Sequence, residues 1–323
     1  MISFGYKMMS EEHGPVALVR NLARAEQAGF DFAAISDHFS PWLEEQGHAS
    51  FAWSVLGAAA QATSRIGLMT AVTCPIMRYH PAIIAQAAAT IGLLSNNRFT
   101  LGLGAGERLN EHIVGEGWPG LLERHQRLEE AVEITKRLFA GPPANYSGTY
   151  FKLDHARLFD RPDRTPSIAI AAGGEMAARF AAKAGACLIA TEPRKDLVES
   201  YASAGGPGRR FAEVGLCYAA TEEEARSTAH HYFRWSLAGW PVMAELPDTE
   251  GFAAASQHIV PETVARQISC GPSTAVHMKA IERYIEAGFD HVILTQIGPE
   301  QDRFMDFFAR ELAPKLRQHW KAA

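Results

Sequence analysis

The chain has 323 residues, 47% of them hydrophobic and 21% charged, with a formal net charge of −5 and a pI near 6.2. Such a composition builds a large core unaided and lacks the basic footprint of a nucleic-acid-binding protein. No stretch approaches the roughly 18 apolar residues of a membrane span, no secretory pattern opens the chain, and Cys74, Cys187, Cys217 and Cys270 have neither metal-type nor CxxC spacing, so a cytoplasmic protein with reduced thiols, no metal and no membrane or nucleic-acid partner is expected.

A first strand is expected near 2–7. Pro15 then opens a helix with Leu18, Leu22 and Ala25 on one face and Gly29 as its stop. The run Phe30-Asp31-Phe32-Ala33-Ala34-Ile35 reads as a buried parallel strand over 30–35. It ends in Ser36-Asp37-His38-Phe39-Ser40-Pro41-Trp42, where the Pro and Trp stop regular structure. A third strand over 66–72 runs into Thr73-Cys74-Pro75, and Arg78-Tyr79-His80 leads to a helix opened by Pro81, with Ile84, Ala88 and Ile91 in phase. The fourth strand, 98–103, enters the glycine-rich segment Gly102-Leu103-Gly104-Ala105-Gly106-Glu107. A helix over 121–139 carries Leu128, Val132, Thr135 and Leu138, and residues 140–166 read as an inserted hairpin. Strands are expected at 167–172, 186–190 and 214–219. An irregular excursion with helical pieces spans 236–270, with Trp235 just before it and Trp240 near its start. A helix over 274–287, a strand over 291–296 and a helix near 300–317 complete the chain.

The unit helix, glycine stop, strand recurs as Ala28-Gly29-Phe30-Asp31 and Ala287-Gly288-Phe289-Asp290. Eight strands alternating with helices predict a TIM-type (β/α)8 barrel with insertions, a single domain over 1–323, with a doubly wound sheet as the rival.

In such folds the chemistry sits at the C-terminal ends of the strands. Asp37 beside His38 is one such end, where a carboxylate can set an imidazole's tautomer; a helix cap and a loop histidine are the plainer alternative. The glycines after the fourth strand fail the dinucleotide fingerprint, because its third glycine falls on Glu107. They fit a backbone that approaches a flat ligand closely, with Glu107 pointing into the barrel mouth or out to solvent. Gly173-Gly174 before a helix is an anion site or a tight turn. Arg78 is an anion contact or a surface residue. Four polar or glycine-rich strand ends on one face favour a ligand pocket. No metal-ligand set and no G-x-S-x-G nucleophile elbow is present.

Together these segments resemble the luciferase-like flavin and deazaflavin oxidoreductases, and within them the F420-dependent glucose-6-phosphate dehydrogenase family. The resemblance rests on Ser36-Asp37-His38-Phe39-Ser40-Pro41-Trp42, Arg78-Tyr79-His80-Pro81, Gly106-Glu107-Arg108-Leu109-Asn110 and Ala171-Ala172-Gly173-Gly174, and extends to Gln301-Asp302-Arg303-Phe304. It implies the same barrel, coenzyme F420 as hydride acceptor, a small-molecule alcohol or sugar phosphate as donor, and a homodimer. It further implies His38 as the base, Glu107 as the acid at the ring and Trp42 beside the reacting centre. Asp37 would contact the cofactor and orient His38. Cys74, Gly106, Asn110, Gly173 and Gly174 would line the cofactor, with a non-prolyl cis peptide at Ala71–Val72 behind its ring. Thr191, Arg194 and Arg266 would border the substrate phosphate, although Arg194 stands where sugar-phosphate members carry a lysine. An FMN-dependent monooxygenase and a non-catalytic flavin-binding protein are the competing functions.

Overall fold

A computed structural model describes residues 2–320. Eight parallel strands form its centre: β1 (Ser3–Met8), β2 (Phe32–Ile35), β3 (Gly67–Thr70), β4 (Phe99–Leu103), β7 (Ser167–Ala171), β8 (Cys187–Ala190), β9 (Arg210–Cys217) and β11 (His291–Gln296). They pair in that order, and β9 also pairs with β8 and with β11, so the sheet closes into a barrel. Closure excludes the doubly wound rival, whose sheet keeps two open edges.

The first helix, Pro15–Ala28, begins with its proline and ends at Gly29 in the left-handed region (φ 89°), where the glycine N–H meets the carbonyls of Ala25 and Glu26. Gly288 repeats the device at φ 103°. The stretch after β4 forms a short helix, Arg108–Glu111. The 140–166 segment holds an antiparallel hairpin, β5 (Ala144–Ser147) with β6 (Lys152–Ala156). The excursion contains helices Trp240–Met243, Thr249–Ser256 and Pro261–Gln267 and returns through a two-residue strand, β10 (Ser269–Cys270), that pairs with the end of β9. The seventh barrel strand starts at Arg210, four residues before the expected 214. No helix among the described residues is long and apolar enough to cross a membrane.

The barrel interior is layered, as alternate strand residues require. A lower layer of Phe32, Phe211 and Ile293 is closed, with the Phe32 ring over Gly5, where a Cβ would lie 2.5 Å from it. Two residues further along each strand stand Lys7, Ala34, Glu213 and Thr295. The mouth lies above this second layer.

Candidate active site

Of the two side chains that end β2, only one faces the mouth. Asp37 is 2% exposed and takes donors on both oxygens: Trp53 Nε1 (3.1 Å) and Thr73 Oγ1 (2.8 Å) on one, Tyr79 Oη (3.0 Å) and Arg78 Nη2 (3.3 Å) on the other. Arg78 also donates to the Asp37 carbonyl (2.6 Å) and approaches Glu111 (3.5 Å). Asp37 is therefore an internal anchor between β2, β3 and the following loop. These contacts give Asp37 a framing role beside the orienting and cofactor-contacting roles the resemblance implies. Arg78 is likewise neither a surface residue nor free for an anion.

The carboxylate beside His38 belongs to Glu11, just past the end of β1. Its Oε1 lies 3.0 Å from His38 Nδ1, within reach though not aligned as a hydrogen bond, and the carboxylate is almost fully buried. On the other side of the ring, Glu107 Oε1 lies 3.6 Å from Nε2. The imidazole therefore stands between two carboxylates at the mouth of the barrel. Glu107 is held by Asn110, whose Nδ2 donates to the same Oε1 (2.6 Å) and whose Oδ1 accepts the N–H groups of Phe39 (2.6 Å) and Ser40 (2.9 Å). Asn110 has no exposed surface. It ties the β4 end to the β2 end.

Trp42 packs edge-on against the His38 ring (centroids 4.8 Å, 70°). Its other partner is Trp235, stacked at 4.2 Å and 12°. Phe252 of the excursion closes the group at 5.1 Å. The backbone N–H of Trp42 is held by Gln46 Oε1 (2.8 Å), and Gln46 Nε2 reaches the Tyr232 carbonyl (3.2 Å).

The Ala71–Val72 peptide is cis, and both side chains are half-buried at the edge of the interior layer. The glycines after β4 serve this neighbour. A Cβ on Gly102 would lie 1.9 Å from the Thr70 carbonyl oxygen, one on Gly104 2.6 Å from Val72, and one on Gly106 2.4 Å from Cys74 Sγ. Their smallness fits strand to strand, which replaces the expected approach of a flat ligand. Cys74 is buried behind Gly106, and burial pushes its thiol well above the ordinary range. Gly106 itself remains half-buried at the rim.

The opposite side of the mouth is looser. Gly174 caps the helix Glu175–Lys183 with no side-chain cap, and a Cβ there would meet nothing within 4 Å. Thr191 is exposed at the end of β8. Arg194 donates to the Gly173 carbonyl (3.0 Å) and grips Asp196 through two nitrogens. Arg266 is exposed on the helix Pro261–Gln267. The residues brought together are thus His38, Glu107 and Trp42, joined by Glu11, Asn110 and Trp235. No cluster of metal-ligating side chains occurs among the described residues.

The profile of the luciferase-like monooxygenase family matches residues 3–291. The chain belongs to that family. It is 34% identical to an F420-dependent glucose-6-phosphate dehydrogenase of Amycolatopsis mediterranei (98% of this chain, 99% of that protein). It is 36% identical to one from Nocardia farcinica (98% of each). Among solved structures it superposes on an F420-dependent secondary alcohol dehydrogenase in complex with an F420-acetone adduct at a TM-score of 0.90, with 28% identity over 98% of this chain and 99% of the other. The likeness to the coenzyme F420-dependent tetrahydromethanopterin reductase of Methanopyrus kandleri (TM-score 0.79, 21% identity, 98% and 99% covered) concerns the fold.

Proposed function

We propose that this protein is an F420-dependent dehydrogenase that removes hydride from a hydroxyl-bearing carbon of an alcohol or sugar phosphate. The observation that carries the reading is the convergence of His38, Glu11 and Glu107 at the open end of the barrel, in a chain similar to proteins named for this chemistry.

The pocket suits the cofactor. Ala71, Val72 and Ala171 form an apolar ledge at the top of the interior layer, with Gly106 at its rim. Gly173 and Gly174 precede the uncapped start of a nine-residue helix, where backbone N–H groups favour an anionic tail. Bound F420 supplies a ring carbon that accepts the hydride. The side chains handle the proton. A neutral imidazole donates from one nitrogen and accepts at the other. Glu11 lies close enough to Nδ1 to favour the proton there by charge, which leaves Nε2 as the base for the substrate hydroxyl. Glu107, steadied by Asn110, stands on the Nε2 side as the acid that meets charge developing on the ring. Trp42 fixes the ring plane of His38 and walls the reacting centre. Thr191, Arg194 and Arg266 border the substrate end.

The enzyme works in the cytoplasm, which suits four free, buried cysteines. It works as a homodimer, which suits the exposed apolar side chains Phe39, Phe51 and Ile83 near the mouth. The test is a panel of alcohols and sugar phosphates, glucose-6-phosphate included, added to protein with F420 while the absorbance of the oxidised cofactor is followed. Loss of absorbance with a hydroxylated substrate is expected. Binding of FMN but not F420, or no reduction with any member, overturns the reading.

A further inference from the structure

Below the ledge lies a charged layer that the mechanism above does not use. Lys7 on β1 is 4% exposed, and its Nζ donates to the Ala71 carbonyl (2.9 Å) and to Glu213 Oε2 (2.8 Å). Glu213 on β9 also accepts the Thr295 hydroxyl on Oε1 (2.9 Å). Its side chain nevertheless keeps 19% of its surface exposed. Glu213 points to the barrel interior, and the layer beneath it, Phe32, Phe211 and Ile293, is closed. Its exposed surface therefore opens upward, into the mouth. An ion pair in a barrel interior is not explained by stability, since apolar side chains fill such a layer at least as well.

We infer that Glu213 is a specificity-determining acceptor on the floor of the pocket, offered to the donor group of whichever ligand reaches deepest: a ring N–H of the cofactor or a hydroxyl of the alcohol. Lys7 is the positioning residue. It has no exposed donor of consequence, but it fixes the Glu213 carboxylate and the Ala71 carbonyl in one geometry, and so joins the floor to the ledge. A carboxylate with two of its lone-pair directions occupied retains others for a ligand donor. The inference rests on the dehydrogenase reading for the identity of the two ligands.

The test compares wild type with Glu213→Gln, Lys7→Met and the double variant Lys7→Met/Glu213→Leu, whose apolar pair keeps the layer filled if a single change prevents folding. F420 affinity is measured by fluorescence quenching, and KM and kcat are measured separately for 2-propanol and glucose-6-phosphate. Loss of a charged hydrogen bond weakens one ligand by ~10–100-fold. A weakened F420 Kd with KM unchanged assigns the donor to the cofactor, and the converse assigns it to the alcohol; either supports the inference. Folded variants with Kd and KM both within ~2-fold of wild type overturn it. Failure of wild type itself to bind F420 strikes the dehydrogenase reading instead.

Discussion

The two sides of the barrel mouth are built differently. On the β2–β4 side every functional group is held from behind: Asp37 by four donors, Glu107 by Asn110, Trp42 by Trp235. On the β7–β8 side, Gly174 stands free, Thr191 is exposed and Arg194 is half-buried. Proton transfer requires groups fixed to within fractions of an ångström, whereas substrate choice tolerates a surface that adapts. The contrast separates the part of the pocket that does the chemistry from the part that chooses what enters.

Substitutions can break that contrast. His38→Ala removes the base, and a ~10²–10⁴-fold fall in kcat is expected with F420 affinity little changed; stopped-flow reduction of F420 measures it, and a kcat within ~3-fold of wild type would contradict the assignment. Asp37→Ala acts on the frame. It leaves Arg78 and three other donors without their acceptor, and a stability loss of ~3–5 kcal/mol by urea unfolding is expected.

Glu12 sharpens the comparison from within the rigid side. Burial raises its carboxyl to about 8, against the opposing N–H of Gly298. The folded state thus holds this proton more tightly than the unfolded chain. The stabilising contribution is complete below the unfolded pKa of 4.5 and is lost as pH rises toward about 8. Glu12→Gln should flatten that decline and stabilise the protein by ~2–4 kcal/mol near pH 8–9; parallel stability–pH curves for variant and wild type would refute it. Glu107→Gln should slow turnover ~10–100-fold while F420 affinity stays within ~3-fold, measured by single-turnover kinetics and fluorescence titration. The smallest effect belongs to the loose side: Arg194→Ala should change stability by less than ~0.5 kcal/mol, because its pair with Asp196 is exposed. Any consequence should appear in KM.

The barrel was legible because its strands are apolar runs bounded by glycine stops. The most displaced start, in β9, has a physical reason: Arg210 and Glu213 break the run, and Glu213 does so because the barrel interior is polar there. His38 and Glu107 drew attention from their places at strand ends, with alternatives left open, and Trp42 only through the family resemblance. Glu11 obeys the same rule but sits in Ser10-Glu11-Glu12-His13, where nothing distinguishes the carboxylate that faces His38 from its neighbour. The framing contacts of Asp37 and Asn110 were not legible, because a polar residue at a strand end can serve the ligand or the frame. Only the tertiary packing that brings Trp53 from a helix and Thr73 and Tyr79 from the segment after β3 onto Asp37 shows the framing role.

The parallel indoles of Trp42 and Trp235 have an optical consequence. Chromophores stacked at 4.2 Å couple their transitions, so the indole bands in ultraviolet circular dichroism depend on how the two rings sit against each other. One indole comes from the base's own loop and the other from the residue just before the long excursion, so the protein carries its own spectroscopic gauge of whether those two segments remain docked while molecules enter and leave.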